Sequence, residues 1–235
     1  MAKTFLTEKL HRIVGQVKFR PTIKTFDSTA SLAAGVEDKF EEWAAQKHED
    51  IALYSPSEKK ILQITFDTIT YLNEGKNDTK ELYDYISKIF TKSTKELGVN
   101  QIRRLEVRHT QVLEASFEFN ELVELIYKKF YAQNEDVKNI SADTPRDSVF
   151  VLDGSKNGFL NHVQIGPVKK DQGIKAFNSS YPDNKTDIKD SNLFIDVSIF
   201  IEGGLTAENT LEKLDKAIKE NLRVTKDYLG YIQTL

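Results

Sequence analysis

Between Ile102 and Leu113 the chain alternates in character: Leu105, Val107 and His109 fall on one parity, Arg104, Glu106, Arg108 and Thr110 on the other. Successive side chains of a strand leave opposite faces, so this run specifies a strand with one apolar and one polar side. Such a strand suits an antiparallel sheet with an apolar layer over one face and the other face solvated. A second alternating run predicts a strand from Ile61 to Leu72, where Leu62, Ile64, Phe66 and Thr68 alternate with Gln63, Thr65 and Asp67. Shorter strands are expected at Val14 to Phe19, bounded by Pro21, and at Ile51 to Tyr54, closed by the turn Ser55-Pro56-Ser57-Glu58-Lys59-Lys60. Val149 to Leu152 and Phe159 to Ile165 flank Asp153-Gly154-Ser155-Lys156-Asn157-Gly158, a hairpin loop with glycines for positive φ. Leu193 to Ile201 is a very apolar strand.

Helical spacing supplies the covering layer. Leu32, Val36, Phe40 and Trp43 form one stripe; Leu82, Tyr85, Ile86, Ile89 and Phe90 form another, capped at Asn77-Asp78-Thr79 and ended by Gly98. Phe119, Leu122, Val123, Ile126 and Phe130 mark a third helix, and Leu211, Leu214, Ile218 and Leu222 a closing one. Two polar stretches remain: Gln133 to Asp147, read as a linker, and Gly166 to Ser191, read as a mobile surface loop. The order predicts an α+β fold of two pseudo-duplicated βαββα, ferredoxin-like halves. Residues 1–98 and 99–235 form them, as two interlocked two-layer units with antiparallel sheets or as one continuous curved sheet. No Gly/Ser/Pro-rich linker separates the halves, so one cooperative unit is expected.

Charge and composition narrow the functions. The 235 residues carry 33 Lys and Arg against 36 Asp and Glu, a net charge of −3, which supplies no global field for DNA or an anionic membrane. There is no cysteine, which excludes disulfides, thiolate nucleophiles and Cys-ligated metal sites. The N-terminus has no apolar signal core, and no run approaches the roughly 20 apolar residues that span a bilayer, so a cytoplasmic protein without membrane partners is expected. No P-loop, G-x-G-x-x-G, H-E-x-x-H or G-x-S-x-G motif is present. His11, His48, His109 and His162 show no i, i+3 or i, i+4 pairing, so neither a metal nor a cofactor is expected. Asp136, Asp143 and Asp147 are spaced too widely for a calcium loop.

Two constellations stand out. Arg103, Arg104, Arg108 and His109 lie on the central strand, with Arg104 and Arg108 on one face and Glu106 between them. Two guanidiniums in that register could grip a phosphate or carboxylate; equally, they could belong to a cross-strand salt-bridge ladder. In the polar loop, Lys169, Lys170 and Lys175 interleave with Phe177 and Tyr181, followed by Lys185 and Lys189. Cations and aromatics so arranged could track a nucleic-acid strand, though Asp171, Asp183, Asp187 and Asp190 offset the charge.

The segment Gln101-Ile102-Arg103-Arg104-Leu105-Glu106-Val107-Arg108, preceded by Leu97-Gly98-Val99, resembles the Arg-rich central strand of a sporadically distributed, uncharacterised bacterial protein family. The closing piece, Leu211-Glu212-Lys213-Leu214-Asp215 through Tyr228, is similar to that family's last helix. The glycine and tyrosine that flank the strand arginine in the family are missing from this chain. The resemblance implies no known activity.

The leading functional expectation is a non-enzymatic binding or assembly protein of a bacterial multi-component system, with protein partners and scope for homo-oligomers. The alternatives are a nucleic-acid-binding module built on the arginines and the 166–191 loop, and a small-molecule-binding protein or enzyme with a pocket between the halves.

Overall fold

The computed structural model of the chain describes residues 5–47, 49–131, 145–181 and 188–234. His48, Asp136, Asp143, Asp183, Lys185 and Asp187, all singled out from the sequence, lie outside the described residues. In chain order the elements are β1 (Leu6–Phe19), α1 (Ile23–Ala34), a 3-10 turn (Glu37–Lys39), β2 (Glu42–Lys47), β3 (Asp50–Ser55), β4 (Lys60–Thr65), β5 (Thr68–Asn73), α2 (Thr79–Leu97) and β6 (Gln101–Ala115). There follow α3 (Phe119–Phe130), β7 (Phe150–Lys156), β8 (Phe159–Val168), α4 (Lys170–Phe177), β9 (Asn192–Thr206) and α5 (Thr210–Gln233).

The nine strands make one sheet, in the order β2-β3-β4-β5-β1-β6-β9-β8-β7, with every neighbouring pair antiparallel. The mixed α and β content expected from the sequence is therefore present, as one continuous sheet with five α-helices among the described residues. Its centre is the long pair β1 and β6, in contact along almost their whole length from Leu6–Ala115 to Phe19–Ile102.

Four helices cover one face. α1 packs on β3 and β4, α2 on β1 and β5, α5 on β6 and β9, and α3 on β8. Their apolar stripes meet the inward parities of the strands in one continuous core, which runs from Phe5 and Ile13 through Leu62, Leu82, Leu105 and Val107 to Ile199, Leu214 and Ile232. Close approach of α2 requires Gly15, because a Cβ there would fall 2.7 Å from Leu82 Cδ2 and from Ile86 Cδ1. On the opposite face the described residues form a small apolar cluster, in which Phe177 of α4 meets Leu10, Val112, Ile188 and Phe194.

Several elements differ from expectation for identifiable reasons. Leu32 and Val36 are buried, but α1 stops at Ala34, where the Gly35 N–H bonds back to the Leu32 carbonyl. Phe40 reaches the core from irregular backbone, and Trp43 lies on β2, 68% exposed, rather than on a helical stripe. The run from Ile61 to Leu72 is two strands folded back on each other, with Ile64 opposite Ile69. The turn reverses the alternation, with Leu62 and Ile64 inward before it and Ile69 and Tyr71 inward after it, and the Thr65 and Thr68 hydroxyls donate to Asp67 Oδ1 at 3.0 and 2.9 Å. β1 begins at Leu6, eight residues before the expected Val14, because its first turns are also paired to β6. At the β7–β8 hairpin, Asn157 and Gly158 take φ of 55° and 79°, the two positive values that a two-residue turn of mirror-image type requires. The segment expected as a loop after Gly166 contains the end of β8 and all of α4.

Candidate functional site

β6 presents two faces with opposite electrostatic characters. On the face away from the four main helices, Arg108 grips Asp196 of β9 with Nε and Nη2 at 2.8 and 2.7 Å, and the Thr110 hydroxyl donates to the same carboxylate at 2.7 Å. Asp196 is buried, so its oxygens take their hydrogen bonds from these donors rather than from water. Arg104 Nε donates to Glu106 Oε2 at 3.0 Å, its Nη1 pairs with Glu202, and its guanidinium lies 4.2 Å over the Phe200 ring. The Ser198 hydroxyl donates to the second Glu106 oxygen at 2.7 Å. Arg104 and Arg108 thus stand in a cross-strand ladder in which each guanidinium already has a carboxylate. Arg103 is exposed at a register shift, beside which β6 is out of step with both β1 and β9.

His109 is not brought to these arginines. Strand alternation sends it to the helix-covered face, where it is 3% exposed and neither ring nitrogen has a hydrogen-bond partner among the described residues. It is opposite Ile13 of β1 and Val197 of β9. Burial pushes its pKa down to about 4, against the pull of the Glu8 carboxylate, so the ring is neutral near pH 7. The next residue on this face, Gln111, donates through Nε2 to Glu8, and its Oε1 is buried without a partner among the described residues. His11 lies opposite Gln111 and pairs through Nδ1 with Glu8 at 3.2 Å. That hydrogen bond raises the His11 pKa and lowers that of Glu8, against the desolvation of each.

α5 roofs this polar floor. Asn221, fully buried, donates to the backbone carbonyls of Val107 and Val197 at 3.0 and 2.8 Å, which pins the helix across β6 and β9. One turn further, Thr225 turns a buried hydroxyl toward the same region, and it too has no partner among the described residues. Between α5, β6 and Asn77 at the head of α2 lies a cavity of about 500 Å³. Its floor holds His109 and Gln111; Thr225, Leu222 and Leu229 line its wall, and Lys226 and Gln233 stand at its mouth. A buried donor or acceptor without a partner costs about 1–3 kcal/mol, so three side chains in this condition around one cavity mark a place where the fold leaves hydrogen bonds to be made by something else.

The second sequence constellation is distributed differently. Phe177 is buried, with the Arg12 guanidinium 4.9 Å over its ring. Tyr181 donates its hydroxyl to the Lys60 carbonyl at 2.7 Å, and Ser180 N–H donates to Glu74 at 3.0 Å. Segment 170–181 therefore straps the outer face from β9 across to β4, with both aromatics used in packing. Lys169 lies 5.5 Å over Phe119, and Lys175 is exposed. Of the remaining histidines, His162 pairs with Asp153 at 2.7 Å on the exposed outer face. Among the described residues no cluster of three His, Cys, Asp or Glu side chains is placed to hold a metal, and no helix is long and apolar enough to cross a membrane.

The sequence singled out His109 but grouped it with the arginines by proximity along the chain. Gln111 and Thr225 carried no signal, since an amide and a hydroxyl on amphipathic elements look like ordinary boundary residues. The available clue was parity: His109 follows Leu105 and Val107 on the apolar side. Compared with protein-family models and with curated proteins, the chain matches none.

Proposed function

We propose that this chain is a non-enzymatic binding protein and that its ligand is a small molecule held in the cavity beneath α5. The observation that carries the reading is the convergence of His109, Gln111 and Thr225, all buried and all with unpartnered polar atoms, on one cavity of ligand size. Binding rather than catalysis is favoured because, among the described residues, the lining contains no carboxylate and His109 has no hydrogen-bonded acidic partner to orient it for proton transfer.

The architecture supports this placement. Outward from β1 the sheet runs β5-β4-β3-β2, and outward from β6 it runs β9-β8-β7. Each half begins with a long central strand, crosses through a helix to its outer strands, returns inward and ends with a helix over the centre. We read this as a pseudo-duplication about the β1–β6 seam. The cavity adjoins that seam, with the head of α2 contributed by residues 1–98 and β6 and α5 by residues 99–235. Of the ferredoxin-like reading, the helix-over-sheet layering is what the structure favours.

Mass spectrometry of the protein, purified from its own cell under non-denaturing conditions, tests the reading. A small molecule retained by the wild type and lost from His109→Leu is the expected result; the same complement on both proteins would overturn it. A protein partner or second copy is favoured at a different place, the β7 edge of the sheet, where Val151, Leu152 and Leu160 are exposed apolar residues on or next to a strand whose outer side has no partner strand among the described residues. Sedimentation of wild type against Val151→Lys separates an assembly edge from an ordinary one.

A further inference from the structure

We propose that the cavity takes a small, uncharged cyclic amide or ureide, the hydrogen-bonding edge of a pyrimidine base or of a lactam. This rests on the cavity being a binding site and adds what its polar atoms demand.

The demand follows from which atoms are already used. A carboxylate only accepts hydrogen bonds, so Glu8 fixes the Gln111 amide with its NH2 turned toward it. The atom left over is Gln111 Oε1, an acceptor, and a ligand must offer it a donor. A neutral imidazole carries one N–H and one lone pair, whichever tautomer is present. Both His109 nitrogens are unpartnered, so the ring asks for one acceptor and one donor. The Thr225 hydroxyl can serve either way. The floor therefore calls for donors and an acceptor close together, the pattern of –NH–C(=O)– in a ring.

Charge selects against other ligands. A ligand anion would find no cation on the floor, because the one in the lining, Lys226, stands at the mouth, exposed to water and screened. A ligand cation would lie against a neutral ring in a buried setting with no carboxylate in the lining. Leu222 and Leu229 supply the apolar flanks on which the faces of a small ring can rest. The polar atoms of the floor are closed to solvent, so entry requires these two half-buried leucines and Lys226 to swing outward. A site built on buried hydrogen-bonding groups rejects analogues that lack them, because the groups are then left unpaired.

The test is an NMR titration of the full chain, ¹⁵N-labelled, with four probes: uracil, 2-piperidone, benzoate and toluene. Wild type, His109→Leu and Thr225→Val are compared. Uracil and 2-piperidone should shift resonances of β6 and α5 around His109, with millimolar affinity for such small probes. His109→Leu should weaken both at least tenfold, and Thr225→Val, a milder change that keeps the side-chain shape, a few-fold. Binding of benzoate or toluene without the amides would overturn the ligand class while leaving the cavity as a site. Equal uracil binding by all three proteins would place it elsewhere and overturn the inference. If none of the four probes moves the His109 region, the class falls; if His109→Leu is also less stable than wild type, the cavity reading falls with it.

Discussion

The two faces of β6 treat buried polarity in opposite ways. On the outer face Asp196 is buried, but Arg108 and Thr110 supply three donors to it, and Glu106 is shared between Arg104 and Ser198. On the inner face, one residue along, His109 is buried with both nitrogens unanswered, and Gln111 and Thr225 add an orphan each. The first arrangement is closed: every charge has its counter-group, so little is left for a ligand to gain. The second is open, and a guest that completes it gains hydrogen bonds that the protein has already paid to desolvate. Polarity and charge draw attention to the arginines, whereas the unsatisfied side chains point to the opposite face.

The comparison predicts asymmetric responses to mutation, and the largest is at the ladder. Arg108→Leu strips a buried carboxylate of its main partner and should cost about 3–4 kcal/mol in urea unfolding at pH 7. Asp196→Asn should cost less, because Arg108 can turn to water and Thr110 keeps an acceptor. Equal and small effects of the two changes would show that the ladder is not closed.

Acid should separate the faces next. His109 has its folded pKa depressed to about 4 from 6.5, so the unfolded chain takes up a proton first as pH falls. Its contribution to stability is complete above about pH 6.5 and is lost between there and about pH 4, by about 3 kcal/mol in all. His11 works in reverse: its raised pKa adds stability below 6.5, which is lost as pH rises through the folded value. Glu8 faces both rings, and Lys226 stands at the cavity mouth. The difference between wild type and His109→Leu isolates the first effect. A difference that stays flat from pH 7 to pH 4 would contradict a buried neutral His109.

His109 itself should be a liability in the ligand-free protein. His109→Leu removes two orphan nitrogens from a buried site and should raise stability at pH 7 by about 1–2 kcal/mol. Thr225→Val, the smallest effect, should raise it by less than about 1 kcal/mol, since it deletes one orphan hydroxyl and keeps the χ1 preference. Destabilisation by both would mean that these groups are satisfied in solution.

Much of the sheet was legible because alternation is a direct record of strand faces. Leu105, Val107 and His109 were assigned to one side and Arg104, Glu106, Arg108 and Thr110 to the other, and the paired strands bear this out. Parity along one strand does not anticipate the turn: Ile61 to Leu72 reads as a single strand, but the inward side switches from Leu62 and Ile64 to Ile69 and Tyr71 where the chain folds back at Asp67. Nor can it distinguish a polar loop from a strap, since α4 buries little beyond Gly173 and Phe177 and its spacing is too short to announce a helix. The union of the strands into a single sheet is a tertiary fact, set by the β1–β6 pairing. The candidate site was half legible. His109 was visible, but its partners Gln111 and Thr225 are separated from each other by more than a hundred residues and meet only when α5 lies down on β6.

The most direct test of the open floor is the ring of His109 itself. Long-range ¹H–¹⁵N correlation of the histidine side chains reports tautomer, charge and hydrogen bonding of each nitrogen. The account predicts a neutral His109 ring from pH 7 down to pH 5, with nitrogen shifts that change when uracil is added. A ring that protonates near pH 6.5, or whose nitrogens are unmoved by any of the probes, would contradict it.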